Sequence, residues 1–117
     1  MTPAAYLARW NLVPDGTEIV TPSSALLPVR RRGEPAMLKI ARDAEERRGG
    51  RLMAWWRGDG AARVLRHDEM ALLLERADEP TTLAAMVAEG RDDEASGILC
   101  SVARRLHAAR GDPPPWL

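Results

Sequence analysis

The order of strand-like and helical runs constrains the fold of this chain more than any other feature of its sequence. A short helical run at 3–10 comes first, and the order β-β-β-α-β-β-α-α follows it. The strand-like runs are 17–21, 25–31, 36–41, 62–66 and 70–74, and the later helices begin near residues 43, 81 and 92. Three consecutive strands without a helix between them are typical of an antiparallel meander. The sequence therefore predicts an α+β fold.

The strand predictions depend on alternation and on residue type. In the run 36–41 successive side chains point to opposite faces, so Lys39 falls on one face and Leu38 and Ile40 fall on the other. Pro28 cannot donate a hydrogen bond to a neighbouring strand, which indicates an edge strand or a bulge at this point. The last strand-like run is apolar throughout, as is typical of a strand buried on both faces.

The helix predictions depend on capping and on periodicity. Asp43 can cap a helix, and Glu46 three residues later completes a pair that resembles a capping box. The sequence Gly58-Asp59-Gly60 ends this helix. The last helix opens at Asp92, and the apolar residues along it have helical spacing. These residues are Ile98, Leu99, Val102, Ala103 and Leu106.

The composition excludes several classes of protein. The chain has 17 Lys+Arg and 17 Asp+Glu and is neutral, whereas nucleic-acid-binding domains usually carry a basic face. Its longest apolar run, Met70–Leu74, is far shorter than the ~20 residues that span a bilayer, and no signal-peptide pattern is present. A lone cysteine, Cys100, is typical of a reducing compartment. We expect a cytoplasmic, globular protein that binds neither nucleic acid nor membrane.

Five mostly antiparallel strands with one helix between strands three and four are the layout of the small lobe of protein kinases. In that layout, a lysine on the third strand meets the nucleotide phosphates, and a glutamate from the helix holds the lysine. Lys39 lies on the third predicted strand and is the only lysine of the chain. The alternative is a lysine whose stem packs on a half-buried strand while its ammonium stays in water. Glu45 and Glu46 are the candidate glutamates, or simply charges that favour a helix start.

Five stretches of the chain carry a family resemblance, and they occur in the family's order. They are Leu26–Val29, Pro35–Ile40, Trp55–Val64, Ala71–Ala77 and Asp92–Ala108. Together they resemble the N-terminal part of an aminoglycoside phosphotransferase of the streptomycin 6-kinase and hydroxyurea-resistance group. The resemblance implies a kinase-like small lobe with its hinge at 1–77, the first helices of a second lobe at 78–110 and a proline-rich tail at 111–117. It also implies a transferase that uses ATP and Mg²⁺ to phosphorylate an aminoglycoside, expected to be streptomycin, and so confers antibiotic resistance.

The resemblance also assigns the contacts to the nucleotide phosphates. It implies that Lys39 contacts the phosphates and that Glu46, or Glu45 beside it, positions Lys39. It places Ser23 and Ser24 where the family has its phosphate-covering loop, although the glycines of the protein-kinase loop are absent here. These residues form the expected phosphate end of the site.

The hinge and the catalytic loop are the other parts that the family implies. The backbone at Glu75 and Ala77 is expected to hydrogen-bond the edge of adenine. The sequence contains no His-Gly-Asp-type loop and none of the family's magnesium-binding residues. Because phosphoryl transfer depends on metal ions and on positioning of the acceptor, we expect an N-terminal fragment that is inactive by itself.

Association without catalysis is the alternative function. If nothing covers the apolar stripe of the last helix, an exposed patch of this kind favours self-association. A homodimer through residues 82–109 is the expected form. Nucleotide titration separates the two hypotheses, because an association module does not depend on Lys39 for nucleotide binding.

Overall fold

The computed structural model describes residues 2–77, 82–108, 111–112 and 115 of the chain. The predicted α+β class is confirmed. The helices are α1 (Pro3–Arg9), α2 (Ala44–Trp56), α3 (Leu83–Ala88) and α4 (Asp92–Leu106). The strands are β1 (Val13–Pro14), β2 (Ile19–Val20), β3 (Ser24–Arg31), β4 (Glu34–Ala41), β5 (Val64–His67) and β6 (Ala71–Glu75). Residues 78–81 and 109–110 of the predicted second lobe, and most of the predicted tail, lie outside the described residues.

The strands form a mostly antiparallel sheet, as predicted. Its order is β1-β3-β4-β6-β5, and β2 also pairs with β3. Helix α2 connects β4 to β5, which is the connection expected between the third and fourth strands. The sheet has six strands rather than five. The additional strand is β1, which has only two residues, so its sequence has no alternation from which it could be predicted.

The expectation that Pro28 marks an edge strand or a bulge is wrong. Pro28 lies within β3 and pairs with Met37 of β4 in unbroken register, while β1 and β2 flank the other side of β3. The carbonyl of Pro28 accepts a hydrogen bond from the backbone N–H of Asp15 at 2.8 Å. The backbone nitrogen of Pro28 therefore faces the gap between the two short strands, where the missing N–H interrupts no ladder.

The core lies between α1 and one face of the sheet, which we call the core face. Strand β4 contributes Ala36, Leu38 and Ile40 to this face, and they are 0%, 0% and 3% exposed. The ring of Tyr6 of α1 and the ring of Trp10, directly after α1, meet edge to face with their centroids 4.8 Å apart, and both belong to this core. Burial of these side chains supplies the main stabilisation of the sheet.

The opposite face carries Met37, Lys39 and Ala41 of β4, and we call it the lysine face. Helix α2 packs on this side. A Cβ placed on Gly50 would lie 3.5 Å from the Leu72 side chain, so the absence of a side chain brings the helix close to β6. The two faces of one strand thus meet different helices.

Helices α3 and α4 pack on each other beside the sheet. Arg105 of α4 contacts Asp59 at 2.9 Å, and Leu106 lies against Gly60 in the loop before β5. Ile98 and Leu99 of α4 are 42% and 57% exposed. Among the residues that the structure describes, no helix is both long and apolar enough to cross a membrane.

Candidate functional site

Strand β4 presents Lys39 in the middle of the lysine face. Lys39 is paired in register with Leu26 of β3 on one side and Leu72 of β6 on the other. Side chains directly opposite each other in an antiparallel sheet share a face. The ammonium is therefore flanked by apolar side chains, and the Lys39 side chain is 28% exposed.

The first turn of α2 provides the acidic partner of Lys39. Asp43 caps the helix, because its Oδ1 accepts a hydrogen bond from the backbone N–H of Glu46 at 2.8 Å. The Glu46 side chain turns to the sheet, where its Oε2 lies 2.9 Å from Lys39 Nζ. Glu45 is exposed. Of the two candidate glutamates, the structure brings Glu46 to Lys39 and leaves Glu45 on the outer side of the helix.

Ser24 is the third member of this cluster. It is 3% exposed, and its hydroxyl donates to the same Oε2 of Glu46 at 3.0 Å. The hydrogen bond from Lys39 holds the pKa of Glu46 below its ordinary value, partial burial opposes this, and the hydroxyls of Ser24 and Ser23 add to the lowering. Glu46 is therefore anionic at neutral pH and shared between two strands.

The family resemblance places Ser23 and Ser24 in a loop over the phosphates. In the structure, the Ser24 hydroxyl faces Glu46, and the carbonyl of Ser23 accepts a hydrogen bond from the backbone N–H of Arg42 at 2.7 Å. The contact between Ser24 and Glu46 was missed, because residues 22 positions apart meet only once the helix has docked. A small hydroxyl residue in the strand next to the lysine is the only local signal for it.

The predicted hinge begins at the last residue of β6. The backbone N–H of Glu75 donates to the carbonyl of Arg63 at 2.9 Å, and the Glu75 carboxylate accepts from the backbone N–H of Arg63 at 2.8 Å. Both bonds attach the end of β6 to the segment before β5. The expected adenine contact then falls on the carbonyl of Glu75 and on the backbone of Ala77, which is exposed.

A small depression lies beside Lys39 and a larger one lies beside the predicted hinge, and the two share no lining residue. The one beside Lys39 and Glu46 has a volume of about 10 Å³, room for a single water molecule. The larger one, about 690 Å³, lies between the hinge at 75–77 and Val102 of α4. A ligand as large as a nucleotide therefore does not fit inside the small depression, whereas the larger one has the volume of a typical ligand pocket.

Within the described ranges of the chain, no group of three or more His, Cys, Asp or Glu side chains lies close enough together to hold a metal ion. The chemistry that this arrangement offers is electrostatic. An ammonium fixed by a carboxylate can bind a phosphate oxygen, and the apolar side chains beside it can contact a flat ring.

The sequence matches known proteins along nearly its whole length. The model of the family described as aminoglycoside/hydroxyurea antibiotic resistance kinase matches residues 9–117. The chain is 51% identical over 111 residues to streptomycin 3''-kinase of Klebsiella pneumoniae. The matched region is 95% of this chain and 42% of that protein. It is 38% identical over 114 residues to streptomycin 6-kinase of Streptomyces griseus. That matched region is 94% of this chain and 36% of the relative. The chain thus spans about two fifths of the length of these relatives. No solved structure gives a significant match.

Proposed function

The chain belongs to the aminoglycoside/hydroxyurea antibiotic resistance kinase family, and on that basis we propose that it is the nucleotide-binding part of an aminoglycoside O-phosphotransferase. ATP is the proposed phosphoryl donor and streptomycin the proposed acceptor. The names of the relatives support the acceptor, since both are streptomycin kinases. In this proposal, residues 1–77 form the small lobe with its hinge, and residues 78–110 form the first helices of a second lobe.

The ion pair between Lys39 and Glu46 is the observation that carries this proposal. A lysine ammonium is a compact charge on a flexible stem, and it needs a fixed partner if it is to stay in one place. Glu46 supplies that partner at 2.9 Å. The pair is still partly exposed, so a phosphate oxygen can reach the ammonium without breaking it. The residues present therefore fit a nucleotide phosphate.

The roles of the chain's own residues follow from this placement. Lys39 binds and orients the phosphates, Glu46 holds Lys39, and Ser24 holds Glu46 from β3. The carbonyl of Glu75 and the backbone of Ala77 seat the adenine edge. The apolar side chains on the lysine face exclude water from one side of the ring.

Bound ATP supplies the phosphoryl group that is transferred, and Mg²⁺ is its proposed counter-ion in the whole enzyme. We propose that the 117 residues alone do not complete the transfer, because their sequence holds no His-Gly-Asp-type loop. Incubation of the chain with ATP, Mg²⁺ and streptomycin should leave the antibiotic unmodified by mass spectrometry. Phosphorylated streptomycin above the level of a buffer control would contradict this part of the proposal.

Calorimetric titration of the chain with ATP tests the nucleotide site. Lys39→Ala should weaken ATP binding at least about tenfold, since hydrogen bonds to charged groups contribute about 1.5–3 kcal/mol and about 1.4 kcal/mol corresponds to tenfold. Glu46→Gln should also weaken binding, because Lys39 loses its fixed partner. The matched controls are Arg48→Ala, which removes an exposed positive charge from α2, and Glu45→Gln, which neutralises the neighbouring carboxylate. Equal effects of the Glu46 and Glu45 variants would overturn the assigned roles.

The exposure of Ile98 and Leu99 supports a second proposal, self-association of the chain through α3 and α4. Sedimentation velocity at increasing concentration should show a dimer, and Leu99→Glu should shift the population to monomer. A monomer at the highest concentration reached would overturn this second proposal and leave the nucleotide proposal untouched.

A further inference from the structure

The side chain of Arg76 extends from the hinge back across the sheet. Its Nη2 donates to Asp15 Oδ2 at 2.7 Å and also to the carbonyl of Val29 at 3.3 Å. Strand β4 lies between β6 and β3 in the sheet, so the guanidinium passes the start of β4 to reach them. The Arg76 side chain is 20% exposed, less than either other member of the Asp15 cluster, Asp15 itself at 34% and Arg30 at 47%.

The acceptor, Asp15, is itself held firmly. Its backbone N–H donates to the carbonyl of Pro28 at 2.8 Å, and its carboxylate also receives Arg30 Nε at 3.2 Å. A Cβ placed on Gly16 would lie 2.9 Å from the Pro28 ring, so the turn after β1 lies directly against β3. The hydrogen bond from Arg76 is the largest cause that keeps the pKa of Asp15 below its ordinary value. The carboxylate is therefore a fixed, charged anchor.

The position of Arg76 in the chain lets its side chain restrain the hinge backbone. Arg76 lies between Glu75 and Ala77, the two residues whose backbone is proposed to contact adenine. Glu75 is fixed on one side by the bonds to Arg63. Ala77 follows the end of the strand, where sheet pairing no longer sets the direction of the backbone. A side-chain tether at Arg76 restrains both neighbours at once, because each peptide unit is rigid.

We propose that the Asp15–Arg76 pair is a positioning element for the nucleotide, which holds the adenine-contacting backbone at a set place relative to Lys39. This inference rests on the proposed function and deepens it. Arg76 does not contact the nucleotide itself and acts through the backbone of its neighbours. The pair should therefore affect recognition of the base and not of the phosphates.

Comparison of two ligands tests this distinction. ATP contacts both the hinge and Lys39, whereas inorganic triphosphate has no base and depends on Lys39. In calorimetric titrations, Arg76→Ala and Asp15→Ala should each weaken ATP binding by about fivefold, close to the loss of one good ion pair. The double variant should lose no more than either single variant. Triphosphate binding should stay at the wild-type value in all three.

Matched controls and a milder variant keep the result interpretable. Glu18→Gln neutralises an exposed acid in the same loop as Asp15, and Arg48→Ala removes an exposed arginine elsewhere. Neither should change the binding of ATP or triphosphate. Asp15→Asn preserves the shape of the side chain and serves if the alanine variants fail to fold, which circular dichroism shows. It should weaken ATP binding in the same selective way.

The outcomes separate this inference from the function on which it rests. If the wild-type chain binds neither ATP nor triphosphate, the proposed function fails and the positioning role fails with it. If the wild-type chain binds both and the variants bind ATP as well as it does, only the positioning role fails. Equal weakening of ATP and triphosphate would show a general loss of structure and would also overturn the positioning role.

Discussion

The two faces of β4 differ in burial and in charge. On the core face, Leu38 is fully buried beneath the rings of α1. On the lysine face, the next residue, Lys39, is 28% exposed and paired with Glu46. One strand therefore has an apolar side that stabilises the fold and a charged side that remains available to a ligand. The comparison suggests that stability and binding can be altered separately, by substitutions one residue apart.

The largest expected effect is on the core face. Leu38→Ala removes a fully buried side chain and leaves a cavity, which should lower the free energy of unfolding by about 2–5 kcal/mol. Met37→Ala on the half-buried lysine face is the matched control and should lower it by about 1 kcal/mol. Urea denaturation followed by tryptophan fluorescence measures both. Equal losses would break the proposed difference between the faces.

A hydrogen bond from Tyr6 connects the core face to the turn between β5 and β6. The Tyr6 hydroxyl donates to Asp68 Oδ2 at 2.8 Å, so Tyr6→Phe should lower the free energy of unfolding by about 1 kcal/mol. Burial, followed by this hydrogen bond, raises the pKa of Tyr6 from 10.0 to about 12. The neutral phenol therefore contributes stability below pH 10, and that contribution is lost as the pH rises through about 12.

This chain has one tyrosine, so the absorbance of the phenolate reports on Tyr6 alone. Titration of the folded chain should give a midpoint well above that of the chain in urea. Coincident midpoints would show that Tyr6 is not buried against the sheet and would remove the contrast between the faces.

On the lysine face, we expect a smaller effect on stability, which appears as the pH is lowered. The pKa of Glu46 is lower in the folded chain, chiefly through the hydrogen bond from Lys39. Its contribution to stability is therefore present above the ordinary value of 4.5 and is lost as the pH falls through the lower folded value. The stability difference between wild type and Glu46→Gln should shrink below about pH 4.5. Glu45→Gln is the matched control, and a pH-dependent loss of stability like that of Glu46→Gln would contradict the assignment.

The smallest change in stability is expected for Lys39→Met. The Lys39–Glu46 pair is partly exposed, and such pairs contribute about 0–1 kcal/mol, so urea denaturation should hardly distinguish this variant from wild type. ATP binding should nevertheless weaken at least about tenfold, as in Lys39→Ala. A variant that unfolds much more easily would show that the lysine face is part of the core rather than a binding surface.

Much of the fold was predictable because it depends on local patterns. The alternation in β4 separated Leu38 from Lys39 correctly, and the cap at Asp43 was predicted from its residue type alone. Glu46 was preferred over Glu45, but local pattern alone does not settle the choice, because it depends on the rotation of α2 about its axis once the helix packs on the sheet. That rotation is set by contacts such as Gly50 against Leu72, which no local pattern reveals.

Contacts between distant residues account for the rest of what the sequence did not predict. Strand β1 has two residues and forms only because β3 pairs with it. The Asp15–Arg76 pair joins residues 61 positions apart, and each of them appears locally as an ordinary turn or hinge residue. The position of Lys39 on a strand, on the face opposite Leu38, was predictable from the alternation of the run 36–41. The hydrogen bond from Ser24 to Glu46 was not predictable, because it arises from tertiary packing.

Covalent labelling of the chain with an acyl phosphate derivative of ATP tests the central claim most directly, since Lys39 is the only lysine. An amine held against the bound phosphates takes the acyl group, and ATP leaves. The account predicts one acyl group, located on Lys39 by peptide mapping, suppressed by excess ATP and absent in Lys39→Arg. Labelling that spares Lys39, or that excess ATP leaves unchanged, would contradict the claim that the lysine face binds a nucleotide.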